Sequence, residues 1–343
     1  MPRHLVPALL AIAVGVTAPP LAASAAGAGA GASPLAIVDH WAGPDGGWDF
    51  SAFDPAHRRL YISRSNGVTA VDVDSGKVST LLTAQKTHIA LPINGGAEVL
   101  VTVGSTGEAL IADAMTGQVR TTIKVGKKPD AAMIDPVSGL IMVLDNAGGG
   151  IALIDPKAGT LAATIAVDGA LESPVTDGSG KVYITVEDKG EIVVVDMKTR
   201  AVAAHYPLAG CEGPTALAYA PGAKALVAAC VNQTAKVVAA ATGAPLGDLT
   251  IGARPDGAMY DAKSRTILMP TGADGVVNVI STGPGAVKVV ERAPGHVGSR
   301  SGAVDPVSGR VYLPSANFEP PVPPATKGAM TPGSFAVLVL DRK

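Results

Sequence analysis

The sequence predicts an all-β fold, a seven-bladed β-propeller with four antiparallel strands in each blade. The first observation is a repeat in which one position recurs seven times, 39 to 44 residues apart, which is the spacing of propeller blades. The second is that each unit contains short apolar runs separated by clusters of Gly, Asp, Asn and Ser, which is typical of strands and tight turns. The third is a pair of strand-like segments at the two ends that together close a ring. The recurring position is occupied by Asp49, His88, Asp130, Glu172, Thr215, Asp256 and Arg300.

The third repeat shows the four strands most clearly. Its predicted strands span 131–136, 140–144, 151–154 and 161–167. The segments between them contain the Gly, Asp, Asn and Ser residues that form turns. The same Asp-to-Gly turn follows the third strand of the first two repeats, and an Asp-Pro pair follows the first strand of the first and last repeats. The recurring position opens the first, innermost strand, so the seven side chains are expected to converge on the mouth of a central channel.

The strands are apolar on both faces, as in the run Glu-Ile-Val-Val-Val-Asp at 191–196. An antiparallel sheet with one face in water would alternate apolar and polar residues. Blades that pack on two neighbours bury both faces, and a chain of 343 residues is long enough for one large core. We therefore expect one propeller domain at 34–343. No Trp-Asp pair recurs at the blade ends, so the chain is not a WD40 array.

The two ends of the predicted domain explain how the ring closes. Residues 335–341 read as the third strand of the seventh blade, after which no fourth strand follows. Residues 34–41 read as a strand that precedes the first repeat. Pairing this closing strand with the seventh blade would complete the sheet and remove an exposed edge.

The first 25 residues predict a signal peptide. Arg3 and His4 precede an apolar stretch at 5–16, and the small residues at 23–25 fit a cleavage site. Residues 26–33 form a Gly/Ala-rich flexible linker. The apolar stretch is too short and too rich in Ala and Pro for a membrane span. We therefore expect a periplasmic or secreted protein without a membrane span.

The two cysteines, Cys211 and Cys230, agree with export. Cys211 lies just before the first strand of the fifth blade and Cys230 lies at the end of the second strand. Adjacent antiparallel strands bring these points to the same end of one blade, and an oxidising compartment favours a disulfide. A redox pair or a metal thiolate is the alternative, although there is no Cys-x-x-Cys motif.

Several fragments resemble the YncE-like, YVTN-repeat seven-bladed propellers of exported bacterial proteins. The fragments are Gly46-Gly47-Trp48-Asp49, Thr176 through Tyr183, Gly210 through Thr215 and Pro332-Gly333-Ser334-Phe335, and the signature tetrapeptide survives in variant forms at 61–64 and 183–186. The resemblance extends from about residue 34 to 342. It implies a secreted or periplasmic propeller. In this family one class of members is associated with single-stranded DNA binding, and similar propellers serve as quinoprotein subunits or lactonases.

The channel mouth carries the candidate chemistry. The four carboxylates Asp49, Asp130, Glu172 and Asp256 suit a hard cation such as calcium, the candidate cofactor, and His88 would admit a transition metal. Three interpretations stay open: polar residues that line a wet channel, a small-molecule or cation site, and a catalytic centre. His296 lies close to Arg300 in sequence and either joins this site or is a solvated loop histidine.

A Pro-rich insertion at 317–333 separates the second and third strands of the seventh blade. Loops at this position emerge on the same face as the recurring residues, so the insertion is expected to overhang the mouth. Prolines favour an extended segment, which would serve as a lid, a docking segment or a variable surface loop. Trp48 either stacks a ligand at the rim or packs inside the protein.

Two classes of function follow. The preferred interpretation is a non-enzymatic binding or scaffold module that holds a small molecule or a protein partner on the mouth face, acting as a monomer. The rival is a lactonase-like hydrolase in which mouth carboxylates hold a divalent cation and Glu172 or His88 acts as base. Single-stranded DNA binding is a weaker third interpretation, because a net charge of −2 disfavours nucleic acid.

Overall fold

The computed structural model describes residues 1, 33–283, 286–321 and 328–343. Ser33–Lys343 forms one compact unit of seven four-stranded antiparallel sheets, which confirms the predicted seven-bladed propeller. Two short 3₁₀ turns occur at Asn94–Gly96 and Glu187–Lys189. The predicted signal peptide, beyond Met1, and the linker up to residue 32 lie outside the described residues. Within the described ranges, no helix has the length and apolar character needed to cross a bilayer.

Each blade contains four consecutive strands, except that the last takes one from the start of the chain. Blade one contains β2 (Trp48–Asp54), β3 (Arg59–Arg64), β4 (Gly67–Asp72) and β5 (Lys77–Leu82). Blade two contains β6 (Thr87–Ile93), β7 (Glu98–Val103), β8 (Glu108–Asp113) and β9 (Val119–Lys124). Blade three contains β10 (Pro129–Ile134), β11 (Ile141–Asp145), β12 (Gly150–Asp155) and β13 (Thr160–Ala166). Blade four contains β14 (Leu171–Thr176), β15 (Lys181–Val186), β16 (Glu191–Asp196) and β17 (Ala201–Pro207). Blade five contains β18 (Pro214–Ala220), β19 (Ala225–Cys230), β20 (Thr234–Ala239) and β21 (Pro245–Thr250). Blade six contains β22 (Met259–Asp261), β23 (Thr266–Thr271), β24 (Val276–Ser281) and β25 (Lys288–Pro294). Blade seven contains β26 (Ala303–Val304), β27 (Val311–Ser315), β28 (Ala336–Arg342) and β1 (Leu35–Ala42).

The first strands of the blades form the inner wall of a closed ring. Each contacts the first strand of the next blade, and β26 of blade seven contacts β2 of blade one. Side chains also join neighbouring blades at this wall: Thr102 Oγ1 of β7 donates to the carbonyl oxygen of Asp130 at 2.7 Å, and Ser173 Oγ accepts from the amide of Leu217 at 3.2 Å. The wall is therefore continuous around one axis.

The closing strand is confirmed. β1 pairs with β28 over its whole length, from Leu35 opposite Arg342 to Ala42 opposite Ala336. The indole of Trp41 stacks on Tyr312, with ring centroids 5.7 Å apart, and so fixes the closing strand to blade seven. Blade seven thus combines strands from both ends of the domain.

Seven apolar clusters, one between each pair of neighbouring blades, form the core. Strand β16 shows why its residues are apolar on both faces. Val193 and Val195 pack toward blade three, whereas Ile192 and Val194 pack toward blade five. Successive side chains of a strand point to opposite faces, so each middle strand supplies two cores at once.

The recurring Asp-to-Gly segments form the turns between the third and fourth strands. In blade three, Asp155 Oδ1 accepts hydrogen bonds from the amides of Lys157 at 2.8 Å and Ala158 at 2.9 Å. Gly159 closes this turn at a φ of 67°, in the left-handed region that glycine adopts without strain. The sequence pattern therefore specifies each turn locally.

The predicted disulfide is present. Cys211 and Cys230 are bonded, with their Cα atoms 5.4 Å apart. The bond ties the loop before β18 to the end of β19, at the mouth end of blade five.

Candidate functional site

The recurring residues lie where the inner strands are irregular. In the first five blades each is the second residue of its strand, and the pairing register with the next strand shifts at that point. Such an irregularity changes the direction in which a side chain points, and here it directs the recurring side chains toward the mouth. The prediction that the position opens a strand in every blade is wrong for the last two. Asp256 and Arg300 precede β22 and β26, which are only three and two residues long.

Contacts across the seam place the first and last recurring positions side by side. Ser301 Oγ donates to the carbonyl oxygen of Asp49 at 2.8 Å, and Arg300 Nη2 donates to that of Trp48 at 3.3 Å. The amide of Asp256 donates to the carbonyl oxygen of Arg300 at 3.1 Å. Residues more than 250 positions apart thus meet at one mouth.

Asp49, His88 and Asp130 form the centre of the mouth. His88 Nδ1 lies 2.7 Å from Asp49 Oδ2 and 3.4 Å from Asp130 Oδ1. One potential ligand atom from each residue lies within 4.8 Å of the others, the one such group of three among the described residues. Asp130 is buried, while Asp49 and His88 are half-buried. Glu172 and Asp256, the other two predicted metal ligands, lie outside this group.

Burial and neighbouring charges set the protonation of the central group. Burial raises the pKa of Asp130 to about 6, with the charges of Asp49 and Asp256 adding to the rise and those of His88 and Lys128 opposing it. Burial alone would lower the pKa of His88, but its hydrogen bond to Asp49 and the charge of Asp130 raise it overall. The two carboxylates therefore stabilise the protonated imidazole of His88 relative to that of a free histidine.

Glu172 extends the polar network into blade four. Asn146 Nδ2 donates to Glu172 Oε1, and Lys128 Nζ donates to Asn146 Oδ1 at 2.7 Å. On its other side Glu172 shares a hydrogen bond with the carboxyl of Glu187. Burial, together with the negative charges of Asp130 and Glu187, raises the pKa of Glu172 to about 9. Glu172 is therefore protonated at neutral pH.

Asp256 and Arg300 form an ion pair at the mouth ends of blades six and seven. Arg300 Nε donates to Asp256 Oδ2 at 2.6 Å. Burial raises the pKa of Asp256 despite the charge of Arg300. The hydroxyl of Thr215 instead donates to the carbonyl oxygen of Pro255 at 2.8 Å, which joins blade five to blade six. Thr215 therefore takes part in the wall.

A cleft of about 470 Å³ opens beside the central group. Asp49, His88 and the basic residues Lys86 and Lys128 line it. A Cβ on Gly104 would lie 2.5 Å from His88 Nε2, so only glycine leaves room for the imidazole here. The side chains of the central group are thus reachable from outside by a small ligand.

Trp48 packs inside the protein. It is 7% exposed and lies against Phe318 and Phe335, with ring centroids 6.1 and 5.6 Å away. This burial supports the packing interpretation, and Trp48 also borders the cleft beside Asp49 and His88. Among the described residues, no hydrogen bond joins His296 to the seven recurring residues; His296 Nδ1 bonds the carbonyl oxygen of Val297 at 2.8 Å.

The described parts of the insertion form a short paired stem. The amide of Glu319 donates to the carbonyl oxygen of Ala329 at 2.8 Å, and that of Thr331 donates to Asn317 at 2.9 Å. Residues 322–327 lie outside the described residues. Phe318 contacts Trp48 below the stem, so the base of the insertion is anchored at the mouth.

Sequence reasoning missed four mouth residues: Lys86, Lys128, Asn146 and Glu187. A signal was present for the two lysines. A basic residue precedes the recurring position by two in three repeats, as Lys86, Lys128 and Arg254. Asn146 and Glu187 lie in turns between the second and third strands, where nothing in the repeat marks them.

Known proteins share the fold of this chain. No protein-family model matches it, and no curated protein sequence does either. A chain of the hydrazine synthase of Kuenenia stuttgartiensis matches with a TM-score of 0.67 and 16% identity, over 78% of this chain and 92% of that one. A chain from the crystal structure of a mitotic checkpoint complex matches with a TM-score of 0.72 and 14% identity, over 97% and 98%. Such low identity shows the propeller fold alone, and membership of the YncE-like family stays a prediction.

Proposed function

We propose that the protein is an exported binding propeller that holds a small ligand at the channel mouth, and that a divalent cation on Asp49, His88 and Asp130 is central to this site. The observation that carries the proposal is the proximity of these three side chains beside an open cleft. Two carboxylates and an imidazole make a mixed oxygen and nitrogen donor set, which suits first-row transition metals such as manganese or zinc better than calcium.

The charges around the mouth support a cationic ligand. Burial raises the pKa of Asp130, which is buried, and of Asp256, which is half-buried, so water solvates their negative charges poorly. A bound cation would compensate them. Export agrees with the disulfide, since such bonds persist in oxidising compartments.

Calorimetric titration of the chelator-treated protein with Mn²⁺, Zn²⁺ and Ca²⁺ tests the cation site. We expect saturable binding of one equivalent of Mn²⁺ or Zn²⁺, weakened about tenfold or more by Asp130→Asn, since a lost charged ligand contributes more than about 1.4 kcal/mol. The control is Asp168→Asn, which removes a carboxylate that is 96% exposed and does not line the cleft. Equal binding by both variants, or none by the unaltered protein, would refute the cation site.

A second candidate function is metal-assisted hydrolysis of a lactone or ester. The His88–Asp49 hydrogen bond favours it, because a carboxylate that orients an imidazole is a common arrangement for a general base. The chemistry that a bound cation supplies is polarisation of the carbonyl. In this alternative the mouth carboxylates would hold the cation, and His88, left unligated, would take the proton from the attacking water. Glu172, protonated at neutral pH, is the poorer base. Turnover of a lactone panel in the presence of Mn²⁺, abolished by His88→Gln, would select the enzyme; binding without turnover would select the binding module.

A further inference from the structure

A second cleft, separate from the central group, lies on the mouth face between blades six and seven. Its volume is about 400 Å³, within the range of small-molecule pockets. One wall comes from the propeller, and the other comes from the stem of the insertion, at 318–321 and Gly328. The basic residues Arg254 and Arg300 both line it.

The two arginines differ in how far their hydrogen-bonding groups are already used. Arg300 Nε is bound to Asp256, and its Nη2 makes only a 3.3 Å contact with the carbonyl oxygen of Trp48. The side chain of Arg254 is exposed, and within the described parts of the chain no hydrogen bond or ion pair engages it. The guanidinium group is a planar fork of donors that matches a carboxylate or a phosphate.

Glycines set the shape of the floor. A Cβ on Gly272 would lie 3.0 Å from Arg300 Cβ, and one on Gly298 would lie 2.9 Å from Phe318 Cε2. Gly298 also has a φ of 96°, a backbone conformation that residues with a side chain rarely adopt. Any larger residue at these positions would push Arg300 or Phe318 into the cleft.

The remaining lining is mostly apolar. Phe318, Pro320 and Pro321 stand on the insertion side, and Val297 faces them, 55% exposed. Glu319 is the one carboxylate among the lining residues that the structure describes, and its Oε1 accepts a hydrogen bond from Thr331 Oγ1 at 3.0 Å. Because Arg300 is already paired with Asp256, Arg254 is the cationic group of the cleft that no carboxylate of the described residues pairs with.

We propose that this cleft binds a small organic carboxylate, with the charged end on Arg254 and Arg300 and an apolar body against Phe318 and Pro320. The proposal is independent of the cation site, because it uses none of Asp49, His88 and Asp130. It assigns a role to the stem of the insertion, which supplies the apolar wall, and to Arg254, which supplies the free cationic group.

Ligand-observed and protein-observed NMR with benzoate as the probe tests the proposal. Benzamide, which has the same ring without the charge, and inorganic phosphate, which has charge without a ring, are the matched probes. We expect saturable benzoate binding that shifts the Val297 methyl signals, with both other probes binding about tenfold more weakly or worse. Equal binding of benzamide would overturn the role of the arginines, and equal binding of phosphate would overturn the role of the apolar wall.

Surface variants locate the binding without disturbing the core. Arg254→Gln should weaken benzoate about tenfold, whereas Arg200→Gln should not; both arginines are exposed and both have positive φ, 60° and 55°. Val297→Asp should abolish binding by repulsion, whereas Val307→Asp, at another exposed valine, should leave it intact. If neither Arg254→Gln nor Val297→Asp lowers the affinity for benzoate, the proposal is wrong, whatever the outcome of the cation titration.

Discussion

Arg64 of blade one lies flat over the ring of Phe335 of blade seven, with its Cζ 3.7 Å from the ring centroid. The same guanidinium donates to the carbonyl oxygens of Pro44, Gly46 and Gly47, at 2.7, 2.9 and 3.1 Å. These residues form the loop that connects the closing strand to blade one. One buried side chain therefore fixes the seam at which the ring is closed.

The first prediction concerns Arg64. Arg64→Met keeps an apolar chain near Phe335 but leaves the carbonyl oxygens of Pro44 and Gly46 without their donor, so the free energy of unfolding should fall by about 2–4 kcal/mol. Arg120→Met is the control, since it removes an exposed ion pair with Glu98 and should cost less than about 1 kcal/mol. Urea denaturation of both variants checks this. Similar losses in the two would show that the seam contact contributes little.

The second prediction concerns the closing strand. Deletion of 34–41 removes the partner of β28 and the Trp41–Tyr312 stack, so we expect a melting temperature lower by about 10 °C or more, with aggregation through the exposed edge. A rearranged chain that starts at Gly43 and carries 33–42 after a short turn at the C-terminus is the control. It should regain most of the stability, because β1 runs antiparallel to β28. An unchanged melting temperature in the deletion variant would refute closure by this strand.

The third prediction is a pH dependence of stability that arises at Glu172. Its raised pKa, about 9, means that the folded protein holds a proton that the unfolded chain releases above about pH 4.5. This contribution to stability is full below pH 4.5 and is lost as pH rises toward 9. Glu172→Gln cannot ionise and can still donate to Glu187, so it should match the unaltered protein at pH 4. At pH 8, about 3.5 units above the ordinary pKa, it should be more stable by up to about 5 kcal/mol, at about 1.4 kcal/mol per unit.

Thermal melts of the Glu172 variant from pH 4 to 9 provide the measurement. Glu212→Gln, at an exposed carboxyl in the loop before β18, is the matched control and should follow the unaltered protein at every pH. If the Glu172→Gln curve runs parallel to that of the unaltered protein, the carboxyl is ionised in the folded state and the interpretation is wrong.

The sequence predicted the architecture because the repeat and the turns are local signals. Each blade repeats its own apolar runs and its own Asp-to-Gly turns, and the closing strand has no other partner. The pairing of mouth residues was not predictable in the same way. Whether His88 meets Asp49 or Asp130 depends on how far the irregular inner strands rotate their side chains, and no local pattern encodes that rotation.

The short inner strands of blades six and seven had a signal that sequence reasoning overlooked. A glycine comes one residue after the recurring position in blade six, Gly257, and two residues after it in blade seven, Gly302, whereas the other five blades have no glycine at either place. A Cβ on Gly257 would lie 3.1 Å from Ser301 Cα, so the two inner backbones approach closely at this point. Glycine weakens a strand and permits such an approach, which is why regular pairing begins only at Met259 and Ala303.

The last prediction concerns the disulfide. Cys211 and Cys230 are 19 positions apart, and closing a loop of that length restricts the unfolded chain by about 3 kcal/mol on the chain-entropy account. Replacing both by alanine should therefore lower the free energy of unfolding by about that amount without exposing a polar group in the buried Cys230 site. Reductant should destabilise the unaltered protein equally and leave the double variant unaffected.

Since the bond borders the mouth end of blade five, far in sequence from Asp49 and His88, cation binding by the folded double variant should persist. A titration that finds free thiols without reductant would contradict the disulfide, and it would remove the structural support for export at the same time.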